Sequence, residues 1–370
     1  MSESGTPSRF ASVGDGSGIS PDERFYREEL QLANRNRGMP LEGLRYPITP
    51  TGMHYLLMHF DIPYVASANW RLQVEGLVSL PLELTLEEIR RRRAVKLPVT
   101  MECAGNGRAL MEPRPVSQPW FVEAIGTAEW TGTPLRGVLE DADVSADTVE
   151  MLFTGLDRGV QGDEVQYYQR SLTLAEAMRE EVLLVYDMNG RPLEPQHGYP
   201  LRLIVPGWYG MTSVKWLSSI EAIAEPFDGY QMAGSYRYTQ SLDEPGEAVS
   251  LMRVRALMVP PGIPDFMTRT RLVEVGRIQL SGRAWAGRLD IAQVEVSVDG
   301  GAIWSLAELG ERVSPYAWRE WRVDWEARPG AHILCVRATD SAGNSQPLEQ
   351  PWNAHGMGNN MVQRVEVIVE

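Results

Sequence analysis

The sequence predicts an α+β domain followed by an all-β sandwich, and three observations support this fold class. The chain has 370 residues, which favours two domains that each bury a core of their own. Helical and strand-like segments are mixed up to about residue 250, and only short strand-like segments follow. The 34 glycines and 25 prolines exceed average usage, as is typical of a chain rich in turns.

Residues 1–24 are rich in Ser, Gly, Asp and Glu and show no hydrophobic periodicity, so a flexible leader is expected. They lack the basic region and apolar stretch of a signal peptide, which predicts a cytoplasmic protein. No apolar run approaches the roughly 20 residues that span a bilayer, so no membrane association is expected. The formal net charge of −14 argues against nucleic acid as a partner.

The first domain is predicted over residues 25–248 and mixes helix with strand. The segment RLQVEGLV (71–78) is strand-like, and a proline break follows it. A helix is predicted over 86–93, because Thr85 and Glu88 have the spacing of a capping box. Further strand-like segments are Lys96–Met101, VLLVY (182–186) and LRLIVP (201–206).

The second domain is predicted over residues 249–370 as an immunoglobulin-like β-sandwich. Turn residues separate its short strands, and Asp299-Gly300-Gly301 is a hairpin signal. The linker is expected near 245–260, where prolines and glycines cluster. The strand-like segments are VEVSV (294–298), WRVDW (321–325), HILCVRATD (332–340) and QRVEVIVE (363–370).

Several common catalytic motifs are missing from the sequence. The stretch from Gly105 begins like a dinucleotide-binding fingerprint, but Leu110 stands where its third Gly or Ala belongs. There is no P-loop, H-E-x-x-H, C-x-x-C or G-x-S-x-G pattern. The five histidines are too scattered to predict a metal cluster.

One of the only two cysteines, Cys103, lies in a loop of small residues, ECAGNGR (102–108). Little side-chain bulk shields its sulfur, and Arg108 follows five residues later. A guanidinium near a thiol favours the thiolate and can also hold an anion by two hydrogen bonds. A thiolate is a soft metal ligand, so Cys103 is a candidate ligand. The alternative is a buried, inert thiol.

Two sequence blocks resemble the sulfite oxidase family of molybdopterin-dependent oxidoreductases, in its bacterial, haem-free form. MECAGNGR (101–108) is similar to the metal-ligand loop of that family. The segment 186–210 together with SVKWL (213–217) is similar to its pterin-binding segment, and GNN (358–360) extends the likeness. The resemblance implies a sulfite-oxidase-type mixed α/β molybdopterin domain followed by an immunoglobulin-like dimerisation domain, and hence a homodimer.

The resemblance also implies a cofactor, molybdenum held by molybdopterin, and a set of site residues. Cys103 is the implied metal ligand. Arg108 and His355 would bind an oxyanion, and Tyr236 would place a hydroxyl near the metal, although Tyr238 is an alternative for that role. Since the protein is acidic, an anionic cofactor needs a local cationic cluster. The implied cofactor-binding residues are Tyr55, Leu56, Leu57, Met58, His59, Asp157, His197, Arg202, Ser213, Val214 and Lys215.

Two positions depart from the pattern of sulfite-oxidising members. Leu57 and His355 stand where arginines are typical, so Arg108 alone remains of three pocket arginines. An unperturbed histidine titrates near roughly pH 6.5, so binding of an oxyanion should weaken between pH 6 and pH 8. Oxidation of sulfite to sulfate is the predicted reaction, with a separate cytochrome, a quinone or oxygen as the electron acceptor.

Two alternatives to this reaction stay open. One is a reductase or dehydrogenase for another small sulfur or nitrogen oxide, which the less cationic pocket favours. The other is a binding or assembly protein that carries a sandwich domain and in which Cys103 is merely buried.

Overall fold

The computed structural model describes residues 26–370, so the predicted leader (1–24) lies outside the described residues. Four short α-helices and 22 strands make up the regular structure of this part of the chain. No helix within it is long and apolar enough to cross a membrane. The helices are α1 (Arg27–Arg35), α2 (Leu86–Arg91), α3 (Leu135–Asp141) and α4 (Leu174–Ala177).

Ten strands form two sheets in the first part of the chain. They are β1 (Leu72–Gly76), β2 (Leu82–Leu84), β3 (Val95–Glu102), β4 (Ile125–Pro134), β5 (Glu150–Gln161), β6 (Glu164–Thr173), β7 (Leu183–Met188), β8 (Arg191–Pro192), β9 (Arg202–Ile204) and β10 (Leu217–Ile223). One sheet has the order β2-β1-β10-β5-β6, in which only the β1–β10 pair is parallel. The other has the order β3-β4-β7-β8, with β9 also paired to β7.

Buried apolar side chains from both sheets share one core. Phe153 of β5 and Leu184 of β7 belong to it, and α3 adds Leu135, Val138 and Leu139. These three helical positions lie three and four residues apart, so they form a single apolar face. Mixed helix and strand was the prediction for this region, and the structure confirms it.

The predicted capping box opens α2. The Thr85 hydroxyl accepts the Glu88 N–H at 3.1 Å, and the Glu88 carboxylate accepts the Thr85 N–H at 2.8 Å. The helix ends at Arg91 and not at residue 93, because Arg92 is already extended and β3 begins at Val95.

The second part of the chain is a β-sandwich, as predicted. Its strands are β11 (Arg237–Tyr238), β12 (Glu247–Ala248), β13 (Arg255–Met258), β14 (Ile263–Pro264), β15 (Arg271–Val273), β16 (Gly276–Trp285), β17 (Ile291–Ser297), β18 (Ser305–Leu306), β19 (Glu308–Leu309), β20 (Arg319–Ala327), β21 (Gly330–Asp340) and β22 (Gln363–Val369). One sheet has the order β13-β16-β20-β19 and the other β14-β15-β22-β21-β17-β18, while β11 and β12 form a separate pair. Alternating side chains such as Val294, Trp321 and Leu334 fill the space between the two large sheets.

A further apolar cluster joins the two parts of the chain. Leu44 and Ala104 from the first part pack in one cluster with Leu257 and Trp285 from the second. Polar contacts reinforce it, since the Arg283 Nε donates to the Leu44 carbonyl oxygen at 2.8 Å. The cysteine loop therefore lies at the border between the two domains.

Candidate active site

A cavity that opens to solvent lies beside the cysteine loop. Residues from widely separated segments of the first domain form its wall: His54, Tyr55, Leu56, Leu57, His59, Met101, Cys103, Asp157, Tyr168, Gln196, His197, Arg202, Gly210, Met211, Ser213, Lys215 and Tyr236. Most of the residues predicted to bind the cofactor are therefore brought together here, with Cys103 and Tyr236.

Two predicted cofactor-binding residues, Met58 and Val214, are not part of this wall. Val214 belongs to the core between the sheets, while its neighbours Ser213 and Lys215 line the cavity. Met58 likewise lies between the lining residues Leu57 and His59 in the sequence.

Cys103 follows the last residue of β3 and is buried, with 6% of its surface exposed. Its N–H donates to the Ala124 carbonyl at 2.9 Å, which fixes the start of the loop. Burial raises the pKa of the thiol above its usual range, and the nearby Arg108 guanidinium only partly opposes this effect. The free protein therefore favours the thiol, and a bound metal would have to displace its proton.

Arg108 lies directly behind the loop and not in the cavity wall. A Cβ at Gly105 would lie 2.6 Å from the Arg108 Nη1, so the glycine is needed to let the guanidinium approach the loop. The guanidinium donates to the carbonyls of Gln118 (3.0 Å) and His355 (3.3 Å) and contacts the Met357 sulfur at 3.5 Å. No carboxylate of residues 26–370 forms an ion pair with it.

His355 is half-buried and is also absent from the cavity wall. Its backbone carbonyl accepts the Arg108 Nε, so the two residues are close. Burial lowers the pKa of His355 below its ordinary value, and the Arg108 charge lowers it further. The pH range over which oxyanion binding should weaken, predicted above from an unperturbed histidine, therefore moves to lower pH.

Of the two tyrosines considered for the place near the metal, Tyr236 lines the cavity and Tyr238 does not. The Tyr236 hydroxyl lies 2.7 Å from the Nε2 of His59. Burial lowers the pKa of His59 to about 3, with Lys215 and Arg170 adding to the effect, so its ring is neutral at pH 7. Burial also raises the pKa of Tyr236. The pair therefore presents a neutral hydroxyl to the cavity.

Arg170 is a buried cation that the sequence analysis missed. It is 1% exposed, and its guanidinium lies 5.5 Å from the centre of the Tyr236 ring. Its Nη1 donates to the Gln231 carbonyl, whereas its Nε has no hydrogen-bond partner among the described residues. The sequence does contain a signal, because Arg170 lies two residues from Tyr168 and two from Leu172 on the buried face of β6.

Cations gather at the other end of the cavity. The Arg202 guanidinium donates to the carbonyls of His197 (3.0 Å) and Ser213 (3.1 Å). The Lys215 ammonium donates to the carbonyls of Leu57 (2.7 Å) and Gln196 (3.2 Å). Burial lowers the pKa of Arg202 to about 10 and also lowers the pKa of Lys215.

Polar atoms that lack protein partners line the same end of the cavity. Within residues 26–370, the unpartnered buried atoms there are His54 Nε2, Asp157 Oδ1, His197 Nε2 and Arg202 Nε. Unsatisfied buried polar atoms are costly, so their clustering indicates a polar ligand. A pterin offers ring nitrogens and oxygens to such atoms, and its phosphate suits Arg202 and Lys215. The residues present therefore fit molybdopterin. His54 is a member of this set that the sequence analysis did not single out.

In addition to this geometry, two family models match most of the chain. The oxidoreductase molybdopterin binding domain matches residues 59–231, and the Mo-co oxidoreductase dimerisation domain matches residues 248–370. The class of protein is thus a molybdopterin-dependent oxidoreductase. The chain belongs to the sulfite oxidase family of these proteins, whose cofactor is molybdenum bound to molybdopterin.

Two kinds of known protein are similar to this chain in sequence. Mitochondrial sulfite oxidase from Homo sapiens is 33% identical over 341 residues, which cover 87% of this chain and 62% of the human protein. The nitrate reductase [NAD(P)H] of Hordeum vulgare is 32% identical over 353 residues, covering 87% of this chain and 39% of that protein. The chain thus spans less than two thirds of the length of these curated relatives.

A solved structure has the same fold. The sulfane dehydrogenase SoxCD from Paracoccus pantotrophus superposes with a TM-score of 0.78 at 24% identity, covering 97% of this chain and 96% of that one. At this level of identity the similarity concerns the fold. It supports the arrangement of a mixed α+β domain followed by a sandwich.

Proposed function

We propose that this protein oxidises sulfite to sulfate and passes the electrons to an external acceptor. The observation that carries the proposal is Arg108, a buried guanidinium beside Cys103 that forms no ion pair within the described residues. A buried cation without a carboxylate is costly unless an anion completes it. Sulfite is a small oxyanion of the matching charge.

Each end of the cavity has its own task in this proposal. The Cys103 thiolate would ligate molybdenum, while His197, Arg202 and Lys215 would hold the pterin and its phosphate. Molybdenum, when bound, supplies the two-electron redox chemistry. Arg108 would attract sulfite through the positive charge that it holds behind the cysteine loop. Overall, sulfite and water become sulfate, two protons and two electrons, and the acceptor takes the electrons.

The Tyr236–His59 pair would present a neutral hydroxyl to the substrate. Since His59 is neutral, its Nε2 and the Tyr236 hydroxyl share one hydrogen bond, which fixes the direction of the phenol. The Arg170 guanidinium over the Tyr236 ring adds positive potential behind this pair. The hydroxyl is therefore held at the cavity wall in one orientation.

The test is to purify the protein from a host that makes molybdopterin, measure molybdenum, and follow reduction of an artificial acceptor by sulfite. We expect about one molybdenum per chain and sulfite-dependent reduction. Absence of molybdenum would favour the binding or assembly protein. A cytochrome, a quinone and oxygen, tested in turn, identify the electron acceptor. The cytoplasmic location stays a prediction from the sequence.

A second candidate is a reductase or dehydrogenase for another small sulfur or nitrogen oxide. Leu57 lines the cavity where an arginine was expected, and His355 has a lowered pKa, so fewer charges face the substrate. The similarity to nitrate reductases is as strong as that to sulfite oxidases. Metal-loaded protein that is inert towards sulfite but oxidises a reduced dye with nitrate would select this candidate.

We also propose a homodimer formed mainly by residues beyond 250. The match to a dimerisation domain supports it, and so do the apolar side chains of Ile263, Phe266 and Met267, which are 67%, 83% and 81% exposed. Light scattering at micromolar concentration should give twice the chain mass. A mass of 41.4 kDa, that of one chain, would contradict the proposal.

A further inference from the structure

Glu102, the residue before Cys103, is a buried carboxylate held by the second domain. Met101 and Cys103 line the cavity, and Glu102 between them does not. Its side chain instead meets Arg255 and Trp285, which come from β13 and β16. All of these contacts are buried, since the Glu102 and Arg255 side chains are 2% and 3% exposed.

The two partners approach both carboxylate oxygens. The Arg255 Nη1 lies 2.6 Å from the Glu102 Oε1, and the Trp285 Nε1 donates to the Oε2 at 2.9 Å. Arg255 and Trp285 are directly opposite each other in the β13–β16 pair, so the sheet register sets their spacing. The geometry is that of a rigid receptor for one carboxylate.

Arg255 and two further residues of the second domain also reach the backbone of the loop. The Arg255 Nη1 lies 3.4 Å from the Asn106 carbonyl, and the Asn359 side chain donates to the Gly107 carbonyl at 2.9 Å. The Gly358 N–H donates to the Ala104 carbonyl at 2.6 Å. Three carbonyls of the cysteine loop are thus satisfied from the second domain.

Within the loop, Asn106 connects the carboxylate to the cysteine. Its side-chain amide donates to the Glu102 Oε1 at 3.0 Å, and its backbone N–H donates to the Cys103 carbonyl at 2.9 Å. A shift of the Glu102 side chain would therefore disturb Cys103 in two ways: directly, because Glu102 is the preceding residue, and through Asn106, which donates to the Cys103 carbonyl. Because partners of a buried ion pair cannot separate cheaply, the pair resists such a shift.

We propose that Arg255 and Trp285 are positioning residues of the metal site, which act on Cys103 through Glu102. The second domain then holds the conformation of the cysteine loop, in addition to its proposed part in the homodimer. The proposal rests on the proposed function in one respect, namely that Cys103 is the metal ligand. It makes the conformation of the loop, and thereby metal retention, depend on side chains outside the molybdopterin domain.

The chain offers a matched control in Arg283. This arginine is also buried, lies on β16, and donates to the Leu44 and Arg45 carbonyls of the first domain, while its ion pair with Glu320 stays within the second domain. It does not contact the cysteine loop. The variants Arg255→Met and Arg283→Met therefore each remove a buried guanidinium that contacts the first domain, and only the first should disturb Cys103.

The first readout is alkylation of Cys103 in full-length protein made without cofactor, with the buried Cys335 as an internal reference and mass spectrometry to separate the two sites. Arg255→Met should raise the Cys103 to Cys335 ratio by at least about tenfold, because local opening no longer breaks a buried ion pair. Arg283→Met should stay within about twofold of the unchanged protein. Equal ratios in the two variants would overturn the proposal.

The second readout is the metal site itself in protein from a cofactor-competent host. Arg255→Met should lower molybdenum content and alter the thiolate-to-metal absorption, while Arg283→Met should leave both unchanged. If Arg255→Met does not fold, Trp285→Phe decides, because it removes one hydrogen bond and keeps most of the ring. We expect it to raise the alkylation ratio by about two- to threefold. No change in either readout would contradict the proposal.

A double variant tests whether the two charges act together. Glu102→Gln with Arg255→Met should alkylate no faster than Arg255→Met alone, since both single changes remove the same contact. Strictly additive effects would show independent roles and refute the positioning through Glu102. Failure of the proposed function has a different outcome, because Cys103→Ser would then keep its molybdenum absorption while the alkylation difference in the other variants persisted.

Discussion

The two ends of the cavity are built from the chain in different ways. At the cofactor end, His197, Arg202 and Lys215 come from one stretch of about 20 residues around β9, and His54 and Asp157 join them from elsewhere in the chain. At the substrate end, Cys103, Tyr236 and the neighbouring Arg108 come from distant parts of the sequence. The cations of the first end therefore form a local motif, whereas the second end depends on how whole elements pack. Cofactor retention and substrate preference should therefore be separable by mutation.

The largest effect is expected from Cys103→Ser, which tests whether the substrate end carries the metal ligand. Turnover should be abolished, while most of the pterin remains because the contacts at the cofactor end persist. Molybdenum, pterin and sulfite-dependent acceptor reduction are measured on the same preparation. Cys335→Ala serves as the control, since it changes the other buried thiol, and full activity in Cys103→Ser would remove the cysteine from the mechanism.

The next effect is expected at Arg108. Arg108→Met keeps the apolar stem but removes the charge, and it should cost about 2 to 5 kcal/mol in kcat/KM for sulfite, as for one partner of a buried charge pair. Molybdenum content should stay unchanged, because no cofactor-end residue is altered. A variant with normal kcat/KM would show that the oxyanion is bound elsewhere.

A smaller effect on a different observable is expected at Arg202. Arg202→Met should lower the pterin content of purified protein by roughly tenfold, because the variant loses a charge-assisted contact to the phosphate. The matched substitution Arg170→Met, which changes another buried arginine behind Tyr236, should keep the pterin and weaken sulfite oxidation. If both variants lose pterin, or if both keep pterin and lose only sulfite oxidation, the two ends of the cavity do not have separate roles.

Local signals in the sequence were sufficient for much of the fold and for the cofactor end. The Thr85–Glu88 capping box and the alternating strands of the sandwich are readable because they depend on neighbouring residues. The cluster around Arg202 is also readable, since its members lie close together in the sequence. Met58 and Val214 do not line the cavity, and their part in cofactor binding stays a prediction.

The substrate end could not be predicted in the same way. Arg170 reaches Tyr236 only because β6 is at the edge of its sheet order, beside β5, and the chain returns to it after β10. The Glu102–Arg255 pair joins residues 153 positions apart through a contact between domains. The alternation in β6 indicates that Arg170 is buried but not that it reaches Tyr236, and the Glu102–Arg255 pair has no local pattern, so only tertiary packing reveals these two contacts.

The smallest effect is expected at His355. Because burial and the Arg108 cation both lower its pKa, less of the imidazolium form is present at pH 6 than for an ordinary histidine. His355→Arg adds a charge that persists at every pH, so it should lower the KM for sulfite by about threefold at pH 8, and this benefit should fall less between pH 8 and pH 6 than it would for an ordinary histidine. Since sulfite itself deprotonates near neutrality, KM values are compared between variants at matched pH. A much larger benefit at pH 8 than at pH 6 would show that His355 titrates near its ordinary value and that Arg108 does not depress its pKa.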